Sequence, residues 1–217
     1  MSSISRGGSA DWELRYQSTG DDFLFGVEPN EYLVSKKKLF QAGQTAICLA
    51  DGEGRNSVWL AGQGLKVTAV ELSVTALHKA RSLAAARQVC VDFQHGDMLD
   101  SQWPDCSEHN RYDWVIAVFI QFADPEQRQK QFADMLNLCK PGGHILLLGY
   151  NPRQLTHGTG GPSALDHLYT PELLRESFSA CKLIELQEYE KVLQEGMRHC
   201  GMSSVIGMVA QKISDAG

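Results

Sequence analysis

Two glycines flanked by acids follow an apolar run near residue 50. Residues 46–57 read AICLADGEGRNS, so that Gly52 and Gly54 stand beside Asp51 and Glu53. Glycines at such a turn let a ligand approach the backbone where a Cβ atom would collide, and a following helix aims its first N–H groups at the same space. A tight turn without a ligand is the plainer interpretation of the glycines alone. The chemistry these residues could do is the binding of a ligand across a strand-to-helix turn.

The charge of this turn separates the two ligand classes that use the geometry, dinucleotides and S-adenosylmethionine. A pyrophosphate would bring negative charge beside Asp51 and Glu53, whereas S-adenosylmethionine brings an ammonium and a sulfonium. The dinucleotide pattern also has a third Gly or Ala where this chain has Ser57. The acids therefore favour the cationic ligand.

Two further acids lie where the next apolar runs end. Glu71 closes the run KVTAVE about twenty residues after Gly52, a position from which a carboxylate can accept hydrogen bonds from both hydroxyls of a ribose. Asp97 follows the third run, where it could accept a hydrogen bond from the amino group of an adenine. An exposed strand-end carboxylate and an ordinary Gly-Asp turn are the alternative interpretations.

The elements that would position these residues form an alternating pattern. Short apolar runs alternate with helical patterns, which is typical of βαβ units, and the continuous apolarity of the runs predicts strands covered on both faces. Helices should start at Ser73, Asp124 and Thr170, and Lys140-Pro141-Gly142-Gly143 should end the second of them. The predicted strands cover residues 45–50, 66–71, 90–94, 114–119 and 144–149.

Two more strand-like runs, residues 183–192 and 203–212, are joined by a connection too short for a crossover helix, so they should pair antiparallel. The expected fold class is α/β: a Rossmann-like, doubly wound, mostly parallel seven-stranded sheet with an antiparallel C-terminal hairpin strand and helices on both faces. Ligands of such sheets bind at the carboxyl edge, where Phe119 and Gln121 should face the cleft. Phe122 is more typical of core.

The composition limits the size and the partners of the chain. With 217 residues, 43% of them hydrophobic, we expect one domain. The 20 basic and 26 acidic residues give a formal net charge of −6, which would repel a phosphate backbone, so neither nucleic acid nor an anionic membrane is an expected partner. The sequence shows no signal-peptide core and no membrane-length apolar run, which points to the cytoplasm.

The six cysteines show no Cys-x-x-Cys pair and no Cys/His cluster at metal-ligand spacing. We expect reduced thiols, most of them in the core, and no metal site. The Ser/Gly-rich residues 1–9 should be disordered. The cysteines are Cys48, Cys90, Cys106, Cys139, Cys181 and Cys200.

The ordered set of motifs resembles class I S-adenosylmethionine-dependent methyltransferases, and is most similar to the small group that includes the tellurite-resistance and thiopurine enzymes. This resemblance implies one domain over residues 1–217. The domain would have an N-terminal lid and helix in 10–41, a cofactor-binding half in 42–150, and a substrate-side loop, helix and hairpin in 151–217. The resemblance covers nearly the whole chain and rests on the glycine turn, the final hairpin, Trp12-Glu13-Leu14-Arg15-Tyr16, Phe25-Gly26-Val27-Glu28-Pro29-Asn30, Gly158-Thr159-Gly160-Gly161-Pro162 and Leu168-Tyr169-Thr170.

The resemblance also implies which residues hold the cofactor. The family's acid-x-Gly-x-Gly-x-Gly pattern falls on residues 48, 50, 52 and 54, so that Gly52 and Gly54 match while Cys48 and Ala50 depart. The missing acid at residue 48 removes a usual anchor near the methionine end of the cofactor. The predicted cofactor-binding residues are Trp12, Tyr16, Ala50, Gly52, Glu53, Gly54, Asn56, Glu71, Leu72, Ser73, Asp97, Met98, Val118 and Phe119.

Other contacts to the cofactor can be argued from charge. Asp51 or Glu53 could contact the ammonium in place of the missing acid. Trp12, Tyr16 and Phe25 could line the sulfonium by cation–π attraction, with core packing as the competing interpretation. A glycine-bearing segment, residues 20–26, predicts that the N-terminal piece closes over bound cofactor.

The implied reaction is methyl transfer by in-line displacement, which leaves S-adenosylhomocysteine as product. The protein must hold nucleophile and methyl carbon about 3 Å apart and exclude water. We expect a small-molecule acceptor with a soft sulfur, selenium or tellurium nucleophile; an amine or phenol would need a base. The candidate catalytic residues are Tyr16, Arg153, His157 and His199, each with an ordinary surface or structural role as its alternative.

Two other functions stay open on the residues alone. A non-catalytic S-adenosylmethionine-binding module would keep the cofactor half, but the long loop over residues 150–169 argues against it. A nicotinamide-dependent oxidoreductase shares the fold and is disfavoured by Asp51, Glu53 and Ser57. A monomer and a homodimer are both compatible with the sequence.

Overall fold

The apolar runs of the sequence become the strands of one sheet. The computed structural model describes residues 9–196 and 199–214. The strands are β1 (Thr45–Leu49), β2 (Lys66–Glu71), β3 (Val91–His95), β4 (Tyr112–Val118), β5 (Cys139–Tyr150), β6 (Cys181–Glu195) and β7 (His199–Lys212). They lie in the order β3-β2-β1-β4-β5-β7-β6, with β1 to β5 parallel and β7 antiparallel to both neighbours. The predicted mostly parallel sheet with an antiparallel terminal hairpin is confirmed.

Helices cover both faces of this sheet. They are α1 (Ser9–Gln17), α2 (Glu31–Ser35), α3 (Arg55–Gly62), α4 (Val74–Ala86), α5 (Pro125–Leu138), α6 (Gln154–His157) and α7 (Pro171–Ser177). Phe132 of α5 and Leu174 of α7 are buried in the core on one face, whereas Leu33 of α2 and Leu60 of α3 are buried in the core on the other. Strands enclosed in this way are apolar along their whole length, as the sequence shows.

The predicted helix starts are confirmed by their caps. The Ser73 hydroxyl accepts a hydrogen bond from the main chain of α4, and the Thr170 hydroxyl does the same for α7. The Asp124 carboxylate accepts two main-chain N–H groups of α5 in a capping box, in which the side chain of Gln127 accepts the N–H of Asp124. Each cap supplies an acceptor for N–H groups that have no partner within the helix.

Strand boundaries differ from the prediction for physical reasons. β1 and β4 each end one residue early, because Ala50 and Phe119 have left-handed φ angles of 46° and 57°. Both strands therefore turn away at the same edge of the sheet. The KPGG stretch, residues 140–143, was expected to lie between helix and strand. It belongs instead to β5, which starts at Cys139 because that residue pairs with Tyr112 across a bulge.

The N-terminal segment is tied to α4. The carboxylate of Glu13 accepts hydrogen bonds from the hydroxyls of Ser73 and Thr75, and the Lys79 ammonium donates to the main-chain oxygen of Tyr16. These contacts hold α1 against the start of α4. The segment expected to be disordered lies outside the described residues except for Ser9, which begins α1. Among the residues described, no helix has the length and apolarity to cross a membrane.

The Gly54→Ala variant is expected to lower the free energy of unfolding by about 2 to 4 kcal/mol. At Gly54 φ is 88°, and an added Cβ would lie 2.8 Å from the Cβ of Ala80, where α3 meets α4. Gly62, also in α3, has no atom within 4 Å of such a Cβ, so Gly62→Ala should stabilise by up to about 1 kcal/mol. Urea denaturation measures both variants, and equal effects would contradict this account of the α3–α4 contact.

Candidate active site

A cavity of about 660 Å³ opens at the carboxyl edge of the sheet. The ends of β1, β2 and β4, with the segment after β3, line it, and α1 contributes Trp12 and Tyr16. The strand order reverses between β1 and β4, and open α/β sheets bind ligands beside such a reversal. The cavity therefore lies where the sequence predicts the ligand, and its volume suits a small molecule with its cofactor.

The glycine turn after β1 forms part of the cavity wall. Gly52 has a φ of 63°, and a Cβ added there would lie 2.8 Å from the hydroxyl oxygen of Tyr16. A larger residue would therefore fill the space between the turn and α1. Ala50 adopts a left-handed conformation although it replaces the glycine of the family pattern. The turn thus keeps its shape despite that departure.

Glu71 organises the same turn from the end of β2. One carboxylate oxygen accepts the N–H of Gly52 at 2.8 Å, and the other accepts the N–H of Ser73 at 2.8 Å. Burial raises the pKa of Glu71, an effect that the two N–H groups partly offset. Each oxygen of a carboxylate can accept a second hydrogen bond. Glu71 therefore shapes the loop and still has acceptor capacity for ribose hydroxyls.

Asp51 is a buried carboxyl group on the cavity wall. Burial raises its pKa to about 7, and nearby Glu71 acts in the same direction, while hydrogen bonds from the hydroxyl and main chain of Ser57 oppose the shift. In the part of the chain that the structure describes, Asp51 forms no salt bridge. A cationic group beside it would favour its charged form.

Glu53 has a different environment from Asp51. Its carboxylate lies 3.1 Å from the ammonium of Lys79 and accepts the N–H of Phe25 at 3.3 Å. Lys79 also holds the main chain of α1, so Glu53 belongs to the network that fixes the N-terminal segment. Of the two acids considered for the ammonium contact, Asp51 is the one without an opposing lysine.

The segment after β3 supplies an acidic and an apolar side chain to the cavity wall. Asp97 accepts the N–H of Leu99 through one carboxylate oxygen at 2.8 Å, which orients its side chain beside the cavity. Met98 is buried against the core, and Leu72 lines the cavity from the end of β2. Apolar side chains next to a fixed carboxylate suit a flat ring that carries an amino group.

Trp12, Tyr16 and Phe25 form an aromatic cluster on the cavity wall. Their ring centroids lie 6.0 to 6.5 Å apart, within the usual range for packed aromatic pairs. All three residues also line the cavity. Burial raises the pKa of Tyr16, and Glu71, Glu53 and Asp51 add to the rise, so its hydroxyl stays protonated. The sequence suggested either core packing or a lining of the ligand site for these rings. The structure shows that they pack against one another and also line the cavity.

The cavity wall is strongly acidic. Among the described residues, Arg55 is the only lysine or arginine that lines it, and its guanidinium is 2.7 Å from the carboxylate of Glu195. Asn30 donates to the other oxygen of that carboxylate at 2.7 Å. The carboxylates that line the cavity are Asp51, Glu53, Glu71, Asp97, Asp100 and Asp124.

Nearly all the predicted cofactor residues line this cavity. Gly54 and Ser73 do not: Gly54 allows α3 to approach α4, and the Ser73 hydroxyl caps α4 and bonds Glu13. Both residues therefore support the elements that form the site without lining the cavity themselves. Asn56 lines the cavity and also accepts the N–H of Asn30, which anchors the N-terminal segment a second time.

The predicted catalytic residues are not brought together. Tyr16 lines the cavity, but Arg153 pairs with Glu188 at 3.4 Å and His157 lies 3.6 Å from Glu190, both on the outer strand β6 and away from the cavity. His199 begins β7, and its side chain lies outside what the structure describes.

Gln121 does not reach the cavity, contrary to expectation. Its side chain is buried and donates to the main-chain oxygens of Tyr150 and His167. These two hydrogen bonds tie the end of β4 to the loop that follows β5. Phe119 lines the cavity as predicted. Phe122, expected in the core, lines the cavity and packs against the core as well.

Sequence reasoning missed several cavity residues. Asp124 was interpreted only as the start of a helix and Gln127 was not singled out, yet both line the cavity. Arg55 directly follows the glycine turn and carried no signal of its own. His167 directly precedes the Leu168-Tyr169-Thr170 motif but was not itself singled out, and the return of the loop after β5 places it here.

A family model described as a methyltransferase domain matches residues 46–143. This stretch includes the glycine turn, Glu71 and Asp97. The chain carries a methyltransferase domain. S-adenosylmethionine is its cofactor, and the protein is an S-adenosylmethionine-dependent enzyme. Among curated proteins, none matches this methyltransferase.

Solved structures share the fold of the methyltransferase domain at low sequence identity. One comes from work on the conversion of a disulfide bond into a thioacetal group during echinomycin biosynthesis; it has 18% identity and a TM-score of 0.76, over 96% of this chain and 93% of that one. TehB from Haemophilus influenzae has 15% identity and a TM-score of 0.70, over 93% and 67%. The N-methyltransferase NodS from Bradyrhizobium japonicum WM9, solved with S-adenosylhomocysteine, has 12% identity and a TM-score of 0.68, over 94% and 97%.

The cavity residues of the methyltransferase fit this cofactor chemically. Its sulfonium and ammonium are cations, and the wall is acidic and aromatic. Its ribose and adenine need acceptors of the kind that Glu71 and Asp97 offer. There is no room for a Cβ atom between Gly52 and the Tyr16 hydroxyl. A backbone without a side chain at this turn is what a closely approaching ligand requires.

Proposed function

We propose that this methyltransferase acts on a small molecule whose nucleophile is a soft sulfur, selenium or tellurium atom. The observation that carries the proposal is the cavity itself, in which the proposed cofactor-binding side chains and a second group of polar and aromatic side chains line one concave space. A concave space of this volume suits a small acceptor. The structure from work on echinomycin biosynthesis concerns the conversion of a disulfide bond into a thioacetal group, which supports a sulfur acceptor by likeness alone.

The loop after β5 supports a small acceptor. The side chain of Gln154 donates to the Thr159 hydroxyl and to the main-chain oxygen of Gly160, and accepts the N–H of Ser204 on β7. The Gln154 side chain therefore holds the loop together and fastens it to β7. A fixed loop leaves a defined space over the ends of β4 and β5, which suits an acceptor of limited size.

The roles of the residues follow from their positions. S-adenosylmethionine supplies an electrophilic methyl group on a positively charged sulfur. Glu71 and Asp97 would orient the nucleoside through hydrogen bonds, and Asp51 would balance the positive charge of the methionine end. The aromatic cluster of Trp12, Tyr16 and Phe25 would exclude water. Holding the nucleophile in line contributes most of the rate for such displacements.

Parallel calorimetric titrations with S-adenosylmethionine, S-adenosylhomocysteine and NADH test the cofactor side of the proposal. We expect saturable binding of the first two and none of NADH, because a pyrophosphate would face the acids of the turn. Formation of S-adenosylhomocysteine, followed by mass spectrometry with thiols, selenide, tellurite and matched amines, then tests the acceptor. Turnover of amines alone would refute the soft-nucleophile proposal while leaving the methyltransferase assignment intact.

We also propose a cytoplasmic location. All six cysteines are free in the structure, and three of them, Cys90, Cys106 and Cys200, are exposed. Exposed free thiols suit a reducing compartment. Cell fractionation with an antibody against the chain checks this directly, and recovery outside the cytoplasm would contradict it.

A further inference from the structure

A polar corner of the cavity lies beyond the cofactor-binding residues. It is formed by Phe122, Asp124 and Gln127 around the start of α5, and by His167 on the loop that follows β5. This loop returns to the sheet at Tyr169, whose N–H donates to the main-chain oxygen of Tyr150 at the end of β5. His167 therefore stands over the ends of β4 and β5, next to the strand ends that carry the cofactor residues.

The imidazole of His167 is held in one orientation. Its Nδ1 lies 3.3 Å from the main-chain oxygen of Gln121, while the side chain of Gln121 donates to the main-chain oxygen of His167 at 3.0 Å. Arg128 holds the preceding residue by donating to the main-chain oxygen of Asp166. A carbonyl oxygen only accepts, so Nδ1 carries the proton and Nε2 is left as a basic nitrogen.

The other side-chain acceptors of the corner are oxygens. Oδ1 of Asp124 accepts two N–H groups of α5, and the side-chain oxygen of Gln127 accepts the N–H of Asp124, which leaves Oδ2 as the less engaged oxygen of the Asp124 carboxylate. In the described part of the chain, Nε2 of His167 has no hydrogen-bond partner. It is thus the nitrogen acceptor in this corner that is available for an incoming molecule.

The charge of the cavity indicates what could enter. Arg55, the only lysine or arginine that lines the cavity among the described residues, is paired with Glu195. An anionic acceptor would meet carboxylates and no unpaired lysine or arginine among the described lining residues, so that the sulfonium of the cofactor would be its one source of opposite charge. The acceptor should therefore arrive uncharged, with its proton still attached.

We propose that His167 is the general base of this methyltransferase and that its acceptor is an uncharged thiol. The inference rests on the proposed function and makes it more specific. Nε2 takes the thiol proton as the sulfur attacks the methyl carbon; the new sulfur–carbon bond forms while the bond from that carbon to the sulfonium breaks. The products are a thioether, uncharged S-adenosylhomocysteine sulfur and a protonated imidazole, which returns its proton to water. No oxidant or further reactant is needed.

The test compares two thiols and three proteins. 4-Nitrothiophenol is largely ionised at neutral pH and needs no base, whereas 2-mercaptoethanol is largely protonated and does. The variant is His167→Gln, whose amide is polar and of similar size but cannot take a proton. The matched control is His109→Gln, at an exposed histidine that does not line the cavity.

His167→Gln should lower kcat/KM for 2-mercaptoethanol by about 100-fold or more and for 4-nitrothiophenol by less than about threefold. Raising the pH should restore the aliphatic reaction in this variant as the thiol ionises. The charged groups near the ring, Asp124, Asp166 and Arg128, are the same in all proteins compared. His109→Gln should behave as wild type throughout.

Two readouts besides turnover accompany the test. Calorimetry should give the same affinity for S-adenosylhomocysteine in all three proteins, and long-range ¹H–¹⁵N spectra should show the Nδ1–H form of His167 in the wild type. An equal loss for both thiols, or an Nε2–H imidazole, would overturn the base assignment alone. A wild-type protein that binds S-adenosylhomocysteine yet methylates neither thiol would refute the sulfur acceptor, and this inference with it.

Discussion

Replacing Glu71 by alanine is expected to weaken the binding of S-adenosylhomocysteine by about 100-fold or more. Two hydrogen bonds from ribose hydroxyls to a carboxylate would be lost, each worth about 1.5 to 3 kcal/mol. The change also removes the acceptor of the Gly52 N–H, which lies 2.8 Å from the carboxylate and helps to shape the turn. Calorimetric titration at pH 7.5 measures the loss directly.

Matched variants separate binding from folding in this experiment. Glu71→Gln keeps the shape of the side chain, but its amide group would face the N–H of Gly52 or Ser73, so we expect an intermediate affinity. Glu28→Ala removes a carboxylate whose side chain is 79% exposed, and should leave the affinity unchanged. Urea denaturation of each protein reports the accompanying change in stability, expected at about 1 to 3 kcal/mol for Glu71→Ala. Unchanged affinity in a folded Glu71→Ala protein would defeat the placement of the ribose.

The glycine turn and the position of the acids around it could be predicted from the sequence because their geometry is local. A strand, a tight turn and a helix fix the positions of Gly52 and Glu71 relative to one another once the sheet is parallel, and the pairing of β1 with β2 provides that. Asp97 follows from the same argument one strand further along. The continuous apolar runs that predict a doubly covered sheet also predict which ends of the strands meet.

The acceptor half could not be predicted because it depends on contacts between distant segments. His167 reaches the cavity through the Gln121 side chain and the return of the loop to Tyr150, neither of which has a sequence pattern. His157 and Arg153 occur on the same loop and were among the catalytic candidates that the sequence suggested, whereas His167 was not. They lie against β6 because the loop is fastened to the hairpin strands and not to the cavity.

The two departures from the family's glycine pattern illustrate the same limit. Ala50 adopts a left-handed conformation although it is not a glycine, a fact that sequence reasoning does not supply. Cys48 is buried beneath the turn and burial raises the pKa of its thiol, so it stays uncharged. The negative charge lost at that position is offered instead by Asp51, three residues later and on the cavity wall.

The affinity for S-adenosylmethionine is expected to fall by up to about tenfold per pH unit below pH 7, through the titration of Asp51. Its pKa is raised to about 7 in the free protein, chiefly by burial, and a cation placed beside the carboxylate lowers that pKa. Binding therefore releases a proton wherever the free carboxyl is protonated. The measurement is calorimetry between pH 5.5 and 8 in buffers of different protonation enthalpy, which counts the protons released.

Asp51→Asn is the control, because an amide of the same shape does not titrate. The affinity of this variant for S-adenosylmethionine should change less with pH. The raised pKa of Glu71 should leave a smaller dependence of the same sign.

The stability of the free protein should show the opposite trend with pH. The Asp51 carboxyl has an unfolded pKa of about 3.9 and a higher pKa in the native state. It therefore stabilises the native state fully below about pH 3.9, and this contribution is lost as the pH rises to about 7. S-adenosylhomocysteine lacks the sulfonium, so proton release with both ligands would assign the contact to the ammonium and release with S-adenosylmethionine alone to the sulfonium. Parallel pH profiles of wild type and Asp51→Asn would show that Asp51 faces neither charge.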